Sequence, residues 1–129
     1  MHKNLTIASI LGVLTIVLGA FGAHALKKTL TIDGLQSFET AVRYQMYHVI
    51  VLLFVNTYTG ISDKKKKQIS WLFFLGILLF SGSIYVIQLT SVSAKMIWFV
   101  TPLGGLLFIL GWSIMGVSFL KKKWTINSW

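Results

Sequence analysis

Four stretches of this chain run for about twenty residues each with hardly an interruption by charge, and short polar segments separate them. An α-helix rises about 1.5 Å per residue, so about 20 apolar residues cross a hydrocarbon core about 30 Å thick. The stretches lie at about residues 5–25, 38–58, 69–89 and 97–120. They predict an all-α integral membrane protein whose four transmembrane helices form one compact bundle over residues 1–129. Membrane strands are excluded because they alternate in short segments of about ten residues, whereas Trp71, Leu72, Phe73, Phe74 and Leu75 are apolar without a break. The 55% hydrophobic content exceeds the roughly 45–50% of soluble domains.

A formal charge of +9 would point to nucleic acid in a soluble protein. Here the basic residues cluster beside apolar runs, so they report topology and no nucleic-acid partner is expected. With both termini on the side of the loop between spans two and three, that side carries eight of the 12 basic residues: Lys3, Lys64 to Lys67 and Lys121 to Lys123. The other side carries the remaining four, Lys27, Lys28, Arg43 and Lys95. The positive-inside rule then places both termini in the cytoplasm, with the Lys64–Lys67 block on anionic headgroups. Ala23, His24 and Ala25 form a small-x-small cleavage pattern, but the apolar stretch before them is longer than the roughly 7–15 residues of a signal sequence. The first span is read as a permanent helix. Trp71, Trp98, Trp124 and Trp129 fall near span ends, where an indole anchors depth. The absence of cysteine excludes disulfides and thiolate chemistry.

Helices in lipid meet through small residues that let backbones approach. Ala8, Gly12, Thr15, Gly19, Gly22 and Ala23 share one stripe of the first span. Gly104, Gly105, Gly111 and Gly116 in the fourth span, with Gly76, Ser81, Gly82 and Ser83 in the third, supply further close-approach points; Gly104 and Gly111 are the packing candidates. No phosphate-loop spacing is present among these glycines. Pro102 falls in the first turns of the fourth helix, where its missing N–H removes little.

The second span opens on the most polar helix surface of the chain. Glu39, Arg43 and Tyr47 share one face at four-residue spacing, and Tyr44 and His48 share the adjacent one. Charged groups in hydrocarbon cost at least about 2.5–3.5 kcal/mol each and normally face a bundle interior in pairs. His24, Tyr85, Gln88 and Thr101 lie at the same end, so an outward-facing polar pocket centred on Arg43 is expected. Two readings stand side by side. In one, Glu39 and Arg43 form an ion pair that starts the helix, with Tyr and His completing its hydrogen bonds. In the other, His24, Glu39, Arg43, Tyr44, Tyr47 and His48 bind an anionic headgroup, a quinone or a small amphiphile. A haem between His24 and His48 is disfavoured by a depth offset of about 10 Å, and zinc by the lack of ligand spacing. No cofactor, no metal and no catalytic residue are expected.

The segments Gly19–Ala20–Phe21–Gly22–Ala23–His24–Ala25–Leu26, Thr40 to His48, and Thr101–Pro102–Leu103–Gly104–Gly105 together resemble a family of small membrane proteins that includes bacterial YwdK-like proteins and an animal mitochondrial transmembrane relative. The resemblance runs along essentially the whole chain. It implies a four-helix multi-pass protein of the bacterial plasma membrane and supplies no activity, substrate or cofactor. Function is therefore expected in one of two classes. One is a non-catalytic structural, assembly or accessory component, touching membrane lipids, another membrane protein or a second copy of itself. The other is a binding protein or transporter using the outer pocket.

Overall fold

The computed structural model describes residues 2–127, with side chains as far as Lys121. Trp129, expected as an anchor, lies outside the described residues, as do the side chains of Trp124, the other anchor expected there, and of Lys122 and Lys123. Every regular element among the described residues is helical. Helix α1 spans His2–His24 and ends in a short 3-10 turn at Leu26–Lys28; α2 spans Ile32–Thr57. Helices α3 (Asp63–Gly76) and α4 (Gly82–Leu89) are halves of one 27-residue rod, joined by a π-helical turn at Ile77–Ser81. Helix α5 spans Val100–Asn127.

Three of these helices are long and apolar enough to cross a membrane: His2–Lys28, Asp63–Leu89 and Val100–Lys121. By this measure α2, expected as the second of four spans, falls short. The second expected span, residues 38–58, lies in a helix of 26 residues, about 39 Å long, but Glu39, Arg43, Gln45, His48 and Asn56 depress its average hydropathy.

Two helices also begin a turn or more before their apolar stretches, for a local reason. Thr31 and Ser62 are extended N-caps whose hydroxyls accept from Gly34 N at 3.0 Å and Lys65 N at 3.4 Å. Each satisfies one donor that the first helical turn leaves free. Asp33 and Asp63 follow in the first turns, where a carboxylate favours the positive end of the helix dipole.

The helices run alternately up and down. Asn4 donates to Asn56 at 3.1 Å and Tyr58 lies edge-on to Phe119, so the start of α1, the end of α2 and the late part of α5 share one end. Helix α2 is the centre: α1 packs along one side, and the α3–α4 rod and α5 close the other. The small-residue stripe of α1 faces α2. Ala8 is fully buried, Thr15 nearly so, and a Cβ on Gly12, Gly19 or Gly22 would lie 3.5, 3.4 or 2.8 Å from Val49, Val42 or Phe38. Ala23, counted in that stripe, is exposed.

Between the rod and α5 the contact is reciprocal. Phe73 covers Gly111, and Phe108 covers Gly76, each ring so close that a Cβ on the glycine would sit 2.5 Å from a ring carbon. Gly104 meets the backbone of the π turn itself. Gly116, one more of the α5 glycines, has nothing within 4 Å.

Candidate functional site: a lateral groove with a polar floor

Helix α1 leans on α2 and does not pack along the α3–α4 rod, which leaves a groove of about 1010 Å³ between them. Ile7, Leu11, Leu14 and Leu18 form the α1 wall, and Trp71, Phe74 and Leu78 the opposite one. Gln45 and Asn56 of α2 form the floor, with Ser70 and Tyr85 beside them. Leu14, Trp71 and Leu78 are exposed, so the groove opens sideways between apolar walls. One end carries charge: Lys3, Asp63, Lys66 and Lys67.

The floor is polar, yet its groups are matched. The Gln45 amide donates to Leu11 O at 3.1 Å, and its oxygen accepts from the Tyr85 hydroxyl at 2.7 Å, tying α1, α2 and α4 together. The Asn56 amide donates to Leu52 O and Ser70 Oγ, both at 2.9 Å, while its oxygen accepts from Asn4. No buried side-chain polar atom lacks a partner among the described residues. Buried amides left unpaired would cost roughly 1–3 kcal/mol each, so this matching is what lets α2 carry them inside an apolar bundle.

His48, on the same inward stripe of α2, does not line the groove but is turned toward α5. It is buried, stacks on Phe108 at 3.6 Å with an interplanar angle of 9°, and meets Phe73 edge-on. Its Nδ1 is 2.6 Å from Tyr44 O, and Trp112 donates its indole N–H to Nε2 at 3.0 Å. A carbonyl only accepts and an indole only donates, which fixes the neutral tautomer with hydrogen on Nδ1. Both ring nitrogens are thereby occupied by the protein.

The expected outer cluster is not brought together as one pocket. Glu39 and Arg43 are exposed, and among the described residues no ion pair joins them; the guanidinium donates only to Thr40 Oγ1, at 3.3 Å. Tyr44 and Tyr47 are 41% and 52% exposed and touch each other edge-on. His24 is exposed at the end of α1. A smaller cavity of about 530 Å³ does lie at that end, lined by Gln88 and Thr101 as expected, but with Asp33, Gln36, Ser37 and Thr40 in place of Arg43 and His48.

Asn4, Asn56, Ser70 and Trp112 escaped the sequence reading, and Lys66 entered it only as part of the Lys64–Lys67 block. For α2 the signal was present. Phe38, Ala41, Gln45, His48 and Leu52 are all buried and follow steps of three and four, which defines the inward stripe. At about 100° per residue, Arg43 falls on the opposite side.

With the groove and its floor defined, relatives can be weighed. The family described as a protein of unknown function, DUF423, matches residues 18–105, which include the Gly19–Leu26 and Thr40–His48 segments. The chain belongs to this family. It is 41% identical over 103 residues to the UPF0382 membrane protein SH2409 of Staphylococcus haemolyticus, covering 80% of this chain and 83% of that protein. It is 37% identical over 125 residues to the UPF0382 membrane protein YwdK of Bacillus subtilis, covering 94% and 98%. To the UPF0382 inner membrane protein YgdD of Escherichia coli it is 35% identical over 127 residues, covering 92% and 90%. No solved structure matches. This member of the UPF0382 family is a multi-pass, all-helical membrane protein.

Proposed function

We propose that this chain is a non-catalytic accessory protein of the bacterial plasma membrane, crossing it four times, which works by holding a long-chain amphiphile in the groove between α1 and the α3–α4 rod. The observation that carries this reading is the groove itself: about 1010 Å³, apolar along both walls, open sideways, with a hydrogen-bonded floor. That volume lies at the top of the roughly 300–1,000 Å³ range of small-molecule sites. The fourth crossing is α2, whose buried Gln45, His48 and Asn56 are all partnered inside the bundle and so need not be hydrated. A binding role without chemistry is supported by His48 and Gln45, whose reactive or polar atoms already serve protein partners.

Native mass spectrometry of the protein released from a mild detergent tests the reading. The native chain is expected to carry an extra mass, and Leu14→Trp, which fills the groove from an exposed wall position, is expected to shed it without lowering Tm. A bare native protein, or a Leu14→Trp variant that keeps the adduct, would remove the groove as a binding site.

The cytoplasmic placement of both termini rests on the eight-to-four distribution of basic residues. Because the chain has no cysteine, Ser91→Cys offers a single label site in the loop between α4 and α5. It is expected to react with an impermeant maleimide outside intact cells; protection there would reverse the orientation.

A second reading, a homo-oligomer, is favoured by the stripe of Glu39, Arg43 and Tyr47. All three are exposed on one face of α2, and Arg43 stands about 17 Å along the helix. A second copy across a two-fold axis sets Glu39 of each against Arg43 of the other, relieving a cost of about 2.5–3.5 kcal/mol per buried charge. Glu39→Arg alone is then expected to yield monomers, and the added exchange Arg43→Glu to restore the oligomer. A native chain that sediments as a monomer in detergent ends this reading.

A further inference from the structure

We infer that the occupant of the groove is an anionic phospholipid, its phosphate held at Lys66 and its acyl chain laid along α1; this rests on the reading of the groove as an amphiphile site. Four lysines follow one another at the start of α3, but only Lys66 is withdrawn from solvent. It is 8% exposed and lines the groove, while Lys64 and Lys67 are exposed and Lys65 half-buried. Among the described residues its ammonium has no ion pair and no hydrogen bond, and because no buried side-chain polar atom there lacks a partner, the ammonium itself stays accessible while its stem is buried. A lysine tolerates such a position by burying its stem and turning its charge to the opening. At this end of the groove that charge is without a protein partner among the described residues and can meet an anion.

The surrounding charges fit the same occupant. Lys3 of α1 and Asp63 and Lys67 of α3 line the same end, giving three cations against one carboxylate, with no ion pair among them. Asn4, Asn56 and Ser70 lie beside them and are engaged with one another. The cations are continuous with the apolar walls, so one molecule with a charged head and a long tail meets both. From Lys3 to Leu18 the α1 wall extends about 22 Å, more than the roughly 15 Å of one leaflet, which gives a full acyl chain room to lie along it.

A helix from another protein fits less well. A helix about 10 Å across needs about 1,700 Å³ over the same 22 Å, well above the 1010 Å³ present. A free phosphate would leave the walls uncovered.

The test uses the full chain in nanodiscs holding equal amounts of phosphatidylglycerol and phosphatidylcholine with identical acyl chains, read by native mass spectrometry after release. The native protein is expected to retain phosphatidylglycerol over phosphatidylcholine by about fivefold or more, the effect of one basic residue on an anionic lipid. Lys66→Gln is expected to erase that preference at unchanged Tm, while Lys64→Gln, on the exposed side, keeps it. Inorganic phosphate added to the nanodiscs is expected not to displace the lipid; displacement would mean a site for a free anion and would overturn the inference. Equal retention of the two lipids by the native protein, with Leu14→Trp still shedding both, overturns the anionic assignment and leaves the groove reading standing. Retention of neither lipid overturns both.

Discussion

Gly104→Ala is expected to destabilise the protein by about 3 kcal/mol, the upper end of what overpacking ordinarily costs. A Cβ at this position would lie 2.8 Å from Leu79 C and Phe80 Cα and closer still to Phe80 N. These are backbone atoms, so no rotamer change relieves the clash. The π turn cannot retreat either, because Ser81 donates its hydroxyl to Ala41 O at 2.7 Å and so pins the turn to α2 from the other side. Thus α5 and α2 clamp the turn between them. Ile77, Leu78 and Gly82, within and beside that turn, also line the groove, so the same substitution is expected to weaken amphiphile retention. Gly116→Ala is the matched control. With nothing within 4 Å, it relieves the entropic penalty of a helical glycine and is expected to gain up to about 0.5–1 kcal/mol. Equilibrium unfolding of both variants in mixed micelles checks the pair. A loss below about 1 kcal/mol for Gly104→Ala would show that the π turn yields and is not clamped.

How much of this was readable beforehand depends on which physical term controlled each feature. The rod and α5 were legible because continuous apolar length directly reflects the hydrocarbon thickness. Their boundaries were not. Ser62 caps α3 six residues or so before the apolar stretch begins, and a hydropathy average does not register a hydroxyl that satisfies a backbone donor. In α2 the same average is lowered by Gln45, His48 and Asn56, which it counts as water-seeking although each is matched inside the bundle.

The small-residue stripe of α1 was legible because close approach demands small side chains whatever the partner. That rule does not say which helix approaches, and Ala23, one step off the stripe, is exposed. The candidate site was legible only in part. The rule that intramembrane charge faces inward put Arg43 at a pocket centre, whereas the step pattern from Phe38 to Leu52 turns it outward. The groove was beyond any reading of single helices. It exists because α1 is held at the floor by Gln45 and Asn56 but stands away from the rod, and that spacing is a property of three helices together.

His48→Ala is expected to cost about 3–4 kcal/mol, and it separates a structural histidine from a ligand contact. Removing a buried ring of this size resembles a Phe→Ala change in a core, worth about 3–5 kcal/mol, because Phe73 and Phe108 lose the face and edge they pack against. His48→Phe keeps a ring on Phe108 but removes the acceptor for the Trp112 N–H, so its expected cost is about 1–2 kcal/mol. Trp112→Phe removes the same bond from the other side. If the two share one interaction, the double variant His48→Phe with Trp112→Phe should fall short of the sum of the singles by about 1 kcal/mol, a coupling that full additivity would deny. Retention of the amphiphile decides the role. His48 does not line the groove and both its nitrogens are engaged, so His48→Phe is expected to lower Tm while leaving the adduct in place. A variant with unchanged Tm that loses the adduct would instead make His48 a ligand contact, and would move the binding site from the α1 side of α2 to the α5 side.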